Sequence, residues 1–342
     1  MIIDCHGHYT TAPPGFREYH RELVAALEAG RPLDSVPEPQ AGDGVVRENL
    51  EKAQLRLQRE RGTDLTLLSP MAAGMSHHLG DATTSATWAR FSNDLIRRVC
   101  DLYPANFVGV GQLPQSPGLA PSTAVAELRR CVQELGFVGI NLNPDPSGGW
   151  WTDPPLTDRC WYPLYEAMAE LDVPAMIHVS ASCNPNFHTT GAHYLIGDTA
   201  VFMQLVTSTL FVDFPSLRFV IPHGGGAVPY HWGRYRGLAL DLGLGRIEET
   251  VMNNVFFDTC VYHQPGIDLL AGVIGPDNIL FAAESVGAVK GIDPLTGFAF
   301  DDTRRYVDAL RLPEADKNKI FAGNALRVYP RLAARIATGA QA

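Results

Sequence analysis

The chain has 342 residues, of which 46% are hydrophobic, and its formal net charge is −10. This acidic balance argues against nucleic acid and against an anionic membrane surface as partners, because neither attracts negative charge. The six cysteines show no CxxC spacing, and no apolar run reaches the roughly 18 residues of a membrane span. We therefore expect reduced thiols, no membrane association and a cytoplasmic location.

Short apolar runs alternate with segments of helical periodicity along the chain. The predicted strands are the N-terminal run ending at His8 and residues 64–70, 107–114, 137–144, 173–179, 217–224, 255–261 and 278–285. Helical patterns between them include residues 45–61, 85–102, 122–135 and 161–171. Eight near-continuous apolar strands, each followed by a helix, predict an α/β fold of the (β/α)8 TIM barrel type.

The domain prediction is a single unit over residues 1–342, with an insertion rich in proline and glycine at residues 31–44 and a short C-terminal tail after Arg335. A doubly wound open sheet is the structural alternative. No glycine-rich phosphate loop follows any predicted strand, which weakens that alternative.

Polar residues end several of the predicted strands, where a barrel of this type carries its chemistry. His6 and His8 share one face of the first strand, because side chains alternate with period two. His178 ends the fifth strand and Glu284 the eighth. Three imidazole nitrogens and one carboxylate oxygen suit a divalent metal ion, with zinc expected and manganese or iron possible by ligand type.

Five segments together resemble the metal-dependent amidohydrolase superfamily: IDCHGH at the start, MIHVS, IPHGGGAVPY, FFDTC and the acidic residue that ends the eighth strand. The branch most similar to the chain contains the aminocarboxymuconate semialdehyde and resorcylate decarboxylases, and the resemblance spans nearly the whole chain. It implies that His6, His8 and His178 bind metal and that His223 is a catalytic or substrate-orienting residue. The fourth strand lacks the bridging lysine of binuclear members, which implies one metal ion.

Glu284 departs from the pattern of this branch, which carries aspartate at the end of the eighth strand. A longer arm could remain on the metal or act as a base toward water. With the loop at residues 180–194 and the segment 284–290, this difference favours a hydratase. The implied reaction adds water to a carbon–carbon double bond conjugated to a ketone and flanked by carboxylates, in the breakdown of lignin-derived aromatic compounds.

Two alternatives stand beside the hydratase. One is a nonoxidative decarboxylase of an aromatic or muconate-like acid, and the other is a metal-binding barrel without catalysis. For hydration, Glu284 or His223 would assist the removal of a proton from water. Tyr194 and His193 are the candidates that protonate carbon.

A small polycarboxylate substrate requires cations and hydrogen-bond donors. Arg234, preferred over Arg236, and Lys290 are the predicted cations, because they lie just past strand ends. Neutral hydrogen bonds are predicted from Asn143, Ser182 and Asn184. His77 and His78 are interpreted as solvated loop residues, with a substrate contact left open.

Trp150 and Trp151 lie in a loop rich in proline and glycine after the fourth strand. Aromatic residues are enriched both in lids over ligand sites and at subunit interfaces. We expect a homo-oligomer, namely a dimer.

Overall fold

The computed structural model describes residues 1–13, 15–287 and 289–339, which contain one parallel sheet of eight strands. The strands are β1 Ile3–Tyr9, β2 Leu65–Pro70, β3 Phe107–Gln112, β4 Gly139–Leu142, β5 Ala175–Ile177, β6 Phe219–Ile221, β7 Val255–Asp258 and β8 Ile279–Leu280. They lie in sequential order from β1 to β8. The backbone N–H of Cys5 donates to the carbonyl oxygen of Phe281 at 2.9 Å, so β1 also meets the residue that follows β8. The predicted parallel sheet of eight strands is confirmed.

The helices are α1 Phe16–Glu28, α2 Asp43–Lys52, α3 Gln54–Glu60, α4 Ala72–Met75, α5 Ala82–Leu102, α6 Val125–Gln133, α7 Tyr162–Leu171, α8 Tyr194–Val206, α9 Leu210–Asp213, α10 Trp232–Asp241, α11 Ile247–Thr250, α12 Gln264–Ile274, α13 Arg304–Asp308, α14 Glu314–Asn318, α15 Asn324–Val328 and α16 Leu332–Gly339. Helices α1 to α12 lie between successive strands, and α13 to α16 follow β8. Within the described residues, no helix has the length and apolar character needed to cross a membrane.

Both faces of the sheet are buried, and alternate residues of a strand serve different faces. Met176, Val220, Phe256 and Leu280 belong to one apolar cluster. The residues that follow the first three of these in sequence, Ile177, Ile221 and Phe257, join a second cluster with helical residues of α7 and α8. Burying a side chain of this size contributes about 1.5–3 kcal/mol, so both faces stabilise the sheet. The strands consequently read as continuous apolar runs.

At the carboxyl ends of the strands, the same alternation directs polar residues toward the face that carries Met176, Phe256 and Leu280. His178 lies two residues after Met176, Asp258 two after Phe256 and Glu284 four after Leu280. The β1 strand has a register shift between Asp4 and Gly7, which changes its alternation before His8. These strand ends form the rim that carries the candidate site.

The segment predicted as one helix at 45–61 is two helices. The backbone of Ala53 leaves the helical region, with φ −131° and ψ −98°, so α2 ends and α3 begins there. The predicted insertion contains a short 3₁₀ helix at Leu33–Ser35. The predicted C-terminal tail begins within α16, and its last residues, 340–342, lie outside the described residues, as does Ala288 in the predicted segment 284–290.

Candidate metal centre and active site

Three imidazole rings and one carboxylate converge at the rim. The Nε2 atoms of His6 and His8 are 3.0 Å apart, and those of His8 and His178 are 3.2 Å apart. Glu284 completes the group, in which one ligand atom from each residue lies within 4.8 Å of the others. All four residues are buried. The structure therefore brings together the four residues that the sequence nominated as metal ligands.

The second ring nitrogen of each histidine faces a hydrogen-bond acceptor. Nδ1 of His6 is 2.7 Å from the Oδ2 atom of Asp258, and Nδ1 of His178 is 2.8 Å from the carbonyl oxygen of Val179. Nδ1 of His8 is 2.7 Å from the hydroxyl oxygen of Ser69. A proton on each Nδ1 leaves a lone pair on each Nε2, and three such lone pairs face one another. This arrangement fits a cation at their centre.

Ser69 is itself held in the role of acceptor toward His8. Its hydroxyl accepts from Nδ2 of Asn141 at 3.1 Å and has the carbonyl oxygens of Gly7 and Pro70 as acceptors at 3.2 and 3.0 Å. Its remaining lone pair can accept the proton of His8 Nδ1. Burial, and after it the charge of neighbouring histidines, lowers the pKa of His8 well below its usual value. His8 is thus neutral, which is the form that binds a metal ion.

Cys260 and Asp258 also approach His6, but this second group differs in chemistry from the first. The Cys260 sulfur lies 3.6 Å from the same Nδ1 atom that meets Asp258. Burial, followed by the charge of Asp258, raises the pKa of Cys260 well above its usual range, so the sulfur keeps its proton. We therefore infer that Asp258 and Cys260 hold the His6 ring in place and are not themselves metal ligands.

Glu284 has an unusual backbone conformation and a defined partner. Its φ is 48°, in the left-handed region, and Oη of Tyr262 donates to its Oε2 atom at 2.7 Å. A Cβ atom on Gly287 would lie 2.7 and 2.8 Å from Cγ and Cδ of Glu284, so only glycine allows this close approach. The glutamate side chain is confined next to the three histidines.

His223 lies beside the donor set and is oriented by a carboxylate. Its Nδ1 atom is 2.9 Å from Oδ2 of Asp198, and its ring centroid is 5.3 Å from that of His178. Burial opposes the charged form, but the charge of Asp198 outweighs it and raises the pKa of His223 to about 9. The Nε2 atom of His223 is buried without a hydrogen-bond partner among the described residues. It is therefore available to a bound molecule.

Tyr194 stands against the same rings. Its ring centroid is 5.1 Å from that of His178 and 5.4 Å from that of His223. Burial, together with the charge of Glu284, raises the pKa of the Tyr194 phenol. The group consequently holds its proton at neutral pH and can donate it.

A cavity of about 220 Å³ opens beside the metal donors. Its wall includes His8, Thr10, Arg17, Met71, Ala72, Tyr194, Glu284, Val286 and Lys290. A larger cavity of about 510 Å³ shares Arg17 and Met71 with it but contains none of the four donors. The smaller cavity is therefore the candidate substrate site.

Two cationic side chains, Arg17 and Lys290, line this smaller cavity, and the sequence pattern predicts only one of them. Lys290 was predicted. Arg17, the second residue of α1, was not, because it lies within a helix and belongs to no motif. Its Nη2 atom donates to the carbonyl oxygen of Thr10 at 3.1 Å, which holds the guanidinium at the cavity. Among the described residues, neither cation has a carboxylate within ion-pair distance.

The predicted neutral donors lie outside the wall of this cavity. Asn143 Nδ2 is 2.8 Å from Nδ1 of His77, and the Ser182 hydroxyl donates to the carbonyl oxygen of Gly148 at 3.1 Å. Asn184 Nδ2 donates to the carbonyl oxygen of Gly149 at 2.9 Å. The contacts of Ser182 and Asn184 hold the loops that follow β4 and β5 together, and that of Asn143 reaches the segment after β2. A direct substrate contact from them stays a prediction.

Three further residues considered in the sequence analysis, Arg234, His193 and His77, lie outside the wall of this cavity. Arg234 is exposed on α10 and is absent from the cavity wall. His193 is buried, both of its ring nitrogens lack hydrogen-bond partners among the described residues, and its Nε2 is 3.9 Å from Asp145. The interpretation of His77 as a solvated residue is wrong, because it is 1% exposed, and burial lowers its pKa to about 3.

A sequential parallel sheet with histidine and carboxylate donors at its carboxyl rim defines a class of metal-dependent α/β enzymes. The amidohydrolase family model matches residues 3–331, and the chain belongs to that family.

Two relatives share most of its sequence. It is 59% identical over 336 residues to 2-keto-4-carboxy-3-hexenedioate hydratase of Sphingobium sp. (strain NBRC 103272 / SYK-6), covering 98% of each chain. It matches the structure of 4-oxalomesaconate hydratase, LigJ, from Rhodopseudomonas palustris with a TM-score of 0.92 and 54% identity, over 100% of this chain and 99% of that one.

A decarboxylase is a more distant relative. Gamma-resorcylate decarboxylase of Polaromonas sp. (strain JS666 / ATCC BAA-500) is 28% identical over 300 residues, which cover 82% of this chain and 87% of that protein.

Proposed function

We propose that the chain is a metal-dependent hydro-lyase that adds water to the carbon–carbon double bond of 4-oxalomesaconate. The product is 4-carboxy-4-hydroxy-2-oxoadipate, in the 4,5-cleavage route for protocatechuate and gallate. The observation that carries the proposal is Glu284 beside three histidines, in a chain 59% identical to a hydratase over nearly its full length. We also infer that the sheet closes into a (β/α)8 barrel, which the contact between Cys5 and Phe281 supports.

His6, His8, His178 and Glu284 would hold one divalent ion, for which we propose zinc. Such an ion supplies Lewis acidity and lowers the pKa of water toward neutrality. The acceptors beside the three Nδ1 atoms support this donor set, because a proton on each Nδ1 directs the lone pair of each Nε2 inward.

Glu284 accepts a proton from the attacking water. The carboxylate has two oxygens, so one can meet the water or the ion while Oε2 keeps its hydrogen bond from Tyr262. A glutamate whose position is fixed by Tyr262 and Gly287 is held ready for this transfer.

Arg17 and Lys290 bind substrate carboxylates. Both line the cavity beside Glu284 and lack ion-pair partners among the described residues. A guanidinium can grip a carboxylate through two hydrogen bonds, and an ammonium supplies a second point of charge. Two cations suit a substrate with more than one carboxylate.

Addition of the oxygen to the far carbon moves the electron pair of the double bond toward the ketone and forms an enolate. The carbon next to the ketone then takes a proton. Tyr194 delivers this proton, since its phenol keeps it at neutral pH and the residue lies in the cavity wall. His193, the other sequence-based candidate, is absent from that wall. His223 is also absent from that wall, but its ring stacks on that of Tyr194 with the centroids 5.4 Å apart, and its Nε2 atom has no hydrogen-bond partner among the described residues. Together with its Asp198 partner, His223 stabilises the negative charge on the enolate oxygen.

The test is to mix purified, metal-analysed protein with 4-oxalomesaconate and to follow the conjugated absorbance. The product is then weighed by mass spectrometry. Gain of one water supports the hydratase. Release of carbon dioxide would overturn it in favour of the decarboxylase alternative, and bound metal without any reaction would favour the non-catalytic alternative.

The dimer also stays a proposal. Trp150, which is 54% exposed, offers an apolar surface that a partner subunit could cover. Light scattering of the wild-type protein and of Trp150→Ser tests this, because loss of the aromatic contact should shift the mass toward the monomer.

A further inference from the structure

The segment that carries Glu284 has a costly backbone conformation. Glu284 and Val286 have φ values of 48° and 62°, both in the left-handed region. Such a conformation is unfavourable for any residue other than glycine and is rare for a β-branched side chain. It persists only where the surrounding structure holds it.

One of these holding groups is an ion pair between residues 240 positions apart in the chain. Arg61 Nη2 donates to Oδ1 of Asp301 at 2.7 Å, and its Nη1 donates to the hydroxyl of Ser285 at 2.8 Å. The other carboxylate oxygen of Asp301 accepts the backbone N–H of Val286 at 3.1 Å. The side chains of Arg61 and Asp301 are only 12% and 8% exposed. The pair therefore fixes the residue after Glu284 and the N–H of the next residue.

The carbonyl oxygen of Val286 is held from the opposite direction. It accepts the hydroxyl of Thr10 at 2.9 Å. That hydroxyl accepts from Nε2 of Gln54 at 3.0 Å, and the same amide group donates to the carbonyl oxygen of His8 at 3.1 Å. Both backbone polar groups of Val286 are thus occupied by defined partners.

The two sets of contacts start from one helix. Gln54 is the first residue of α3, and Arg61 directly follows its last residue. Seven positions correspond to about two helical turns, so both side chains leave the same face. Helix α3 consequently links the strand that carries His6 and His8 to the segment that carries Glu284.

We propose that Arg61 is a positioning residue for Glu284, acting through Ser285 and Asp301. Among the described residues, Arg61 forms no hydrogen bond with His6, His8 or His178, and it is absent from the wall of the 220 Å³ cavity. The activity part of this inference rests on the proposed function, whereas the metal-affinity part requires only the donor set.

The test compares Arg61→Met with Arg61→Lys and with Arg130→Met. Arg130 is a matched control, since its side chain is 9% exposed and forms ion pairs with Asp94 and Glu127 on α5 and α6. We expect Arg61→Met to weaken metal binding and lower kcat by about 10- to 100-fold each, with a much smaller change in KM. Arg61→Lys, which keeps the charge beside Asp301, should recover part of both losses. Arg130→Met should lower Tm without changing either quantity.

A double-mutant cycle with Glu284→Gln separates positioning from general stability. Metal affinity is measured by chelator competition, so the cycle does not depend on turnover. If Arg61 acts through Glu284, Arg61→Met should change metal affinity little in the Glu284→Gln background. The proposal would be overturned if Arg61→Met lowered metal affinity equally in both backgrounds. It would also be overturned if the single variant Arg61→Met bound metal with wild-type affinity.

Asp301→Asn and Thr10→Val provide the same comparison should Arg61→Met fail to fold. Asp301→Asn leaves one acceptor oxygen where Arg61 and the Val286 N–H now use two, and Thr10→Val removes the donor to the Val286 carbonyl. Both change the side-chain volume little, and each should weaken metal binding in the wild-type background only. A protein that binds metal as expected in every variant but does not hydrate 4-oxalomesaconate would contradict the proposed function and leave the positioning role supported.

Discussion

The Nδ1 atom of His6 lies 2.7 Å from Oδ2 of Asp258, and neither side chain is exposed to solvent. Burial alone would raise the pKa of Asp258, but its hydrogen bond with His6 holds the pKa below its usual value. The carboxylate therefore keeps the proton of His6 on Nδ1 and the lone pair on Nε2. The same carboxylate accepts the backbone N–H of Cys260 at 3.0 Å, which fixes its orientation.

Asp258→Asn should weaken metal binding by about 10- to 100-fold, as is typical for loss of a partner behind a metal ligand. An asparagine can turn its NH₂ group toward Nδ1, which favours the His6 tautomer with a proton on Nε2. Chelator competition measures the change. Asp64→Asn, at the opposite end of the sheet and 60% exposed, serves as the control. Unchanged affinity in Asp258→Asn would contradict this role.

Glu284→Asp should lower the hydration rate by about 100-fold or more, because the shorter arm withdraws the base from the water. The three histidines should still retain metal, which elemental analysis of the purified variant checks. Glu248→Asp, on the surface, should behave as wild type. Full turnover in Glu284→Asp would show that the length of this side chain is unimportant.

Arg17→Met should raise KM by about 10- to 100-fold, the range expected for loss of a hydrogen bond to a charged group worth 1.5–3 kcal/mol. Steady-state kinetics with 4-oxalomesaconate give the value. Arg21→Met, one turn further along α1 and 71% exposed, is the control. Arg234→Met tests the sequence-based choice by the same readout. A large rise in KM in Arg234→Met, with none in Arg17→Met, would show that the substrate carboxylate binds Arg234 and not Arg17.

Tyr194→Phe should lower kcat by about 100-fold or more without loss of metal, because it removes the proposed proton donor and little volume. Kinetics and elemental analysis of the same preparation separate the two effects. Tyr162→Phe removes a phenol from α7, where the hydroxyl donates to Asp213, and should leave turnover unchanged. Wild-type kcat in Tyr194→Phe would assign carbon protonation to another group.

The grouping of the four candidate metal donors could be predicted from sequence because each of them lies on or shortly after a buried strand. His6 and His8 lie on one strand, His178 directly follows β5, and Glu284 lies four residues after the end of β8, so all four reach the rim where the carboxyl ends of the strands meet. Period-two alternation and the rim location are local properties, so a single sequence displays them.

The supporting contacts could not be predicted, because they join residues that no local pattern relates. Asp198, which orients His223, is a polar residue on the buried side of α8, and Arg61 and Asp301 are 240 positions apart. Arg17 reaches the cavity from a helix after β1 rather than from a strand end. Such pairings depend on how the connecting segments fold back onto the rim.

Stepwise metal loading tests the central claim, that one divalent ion on these four residues is required for water addition. Metal is removed with a chelator, and zinc is returned in known amounts while bound metal and hydration rate are measured on the same samples. The account predicts no activity in the stripped protein, followed by a linear rise that ends at one ion per chain. Activity without metal, or a rise that continues to two ions per chain, would contradict it.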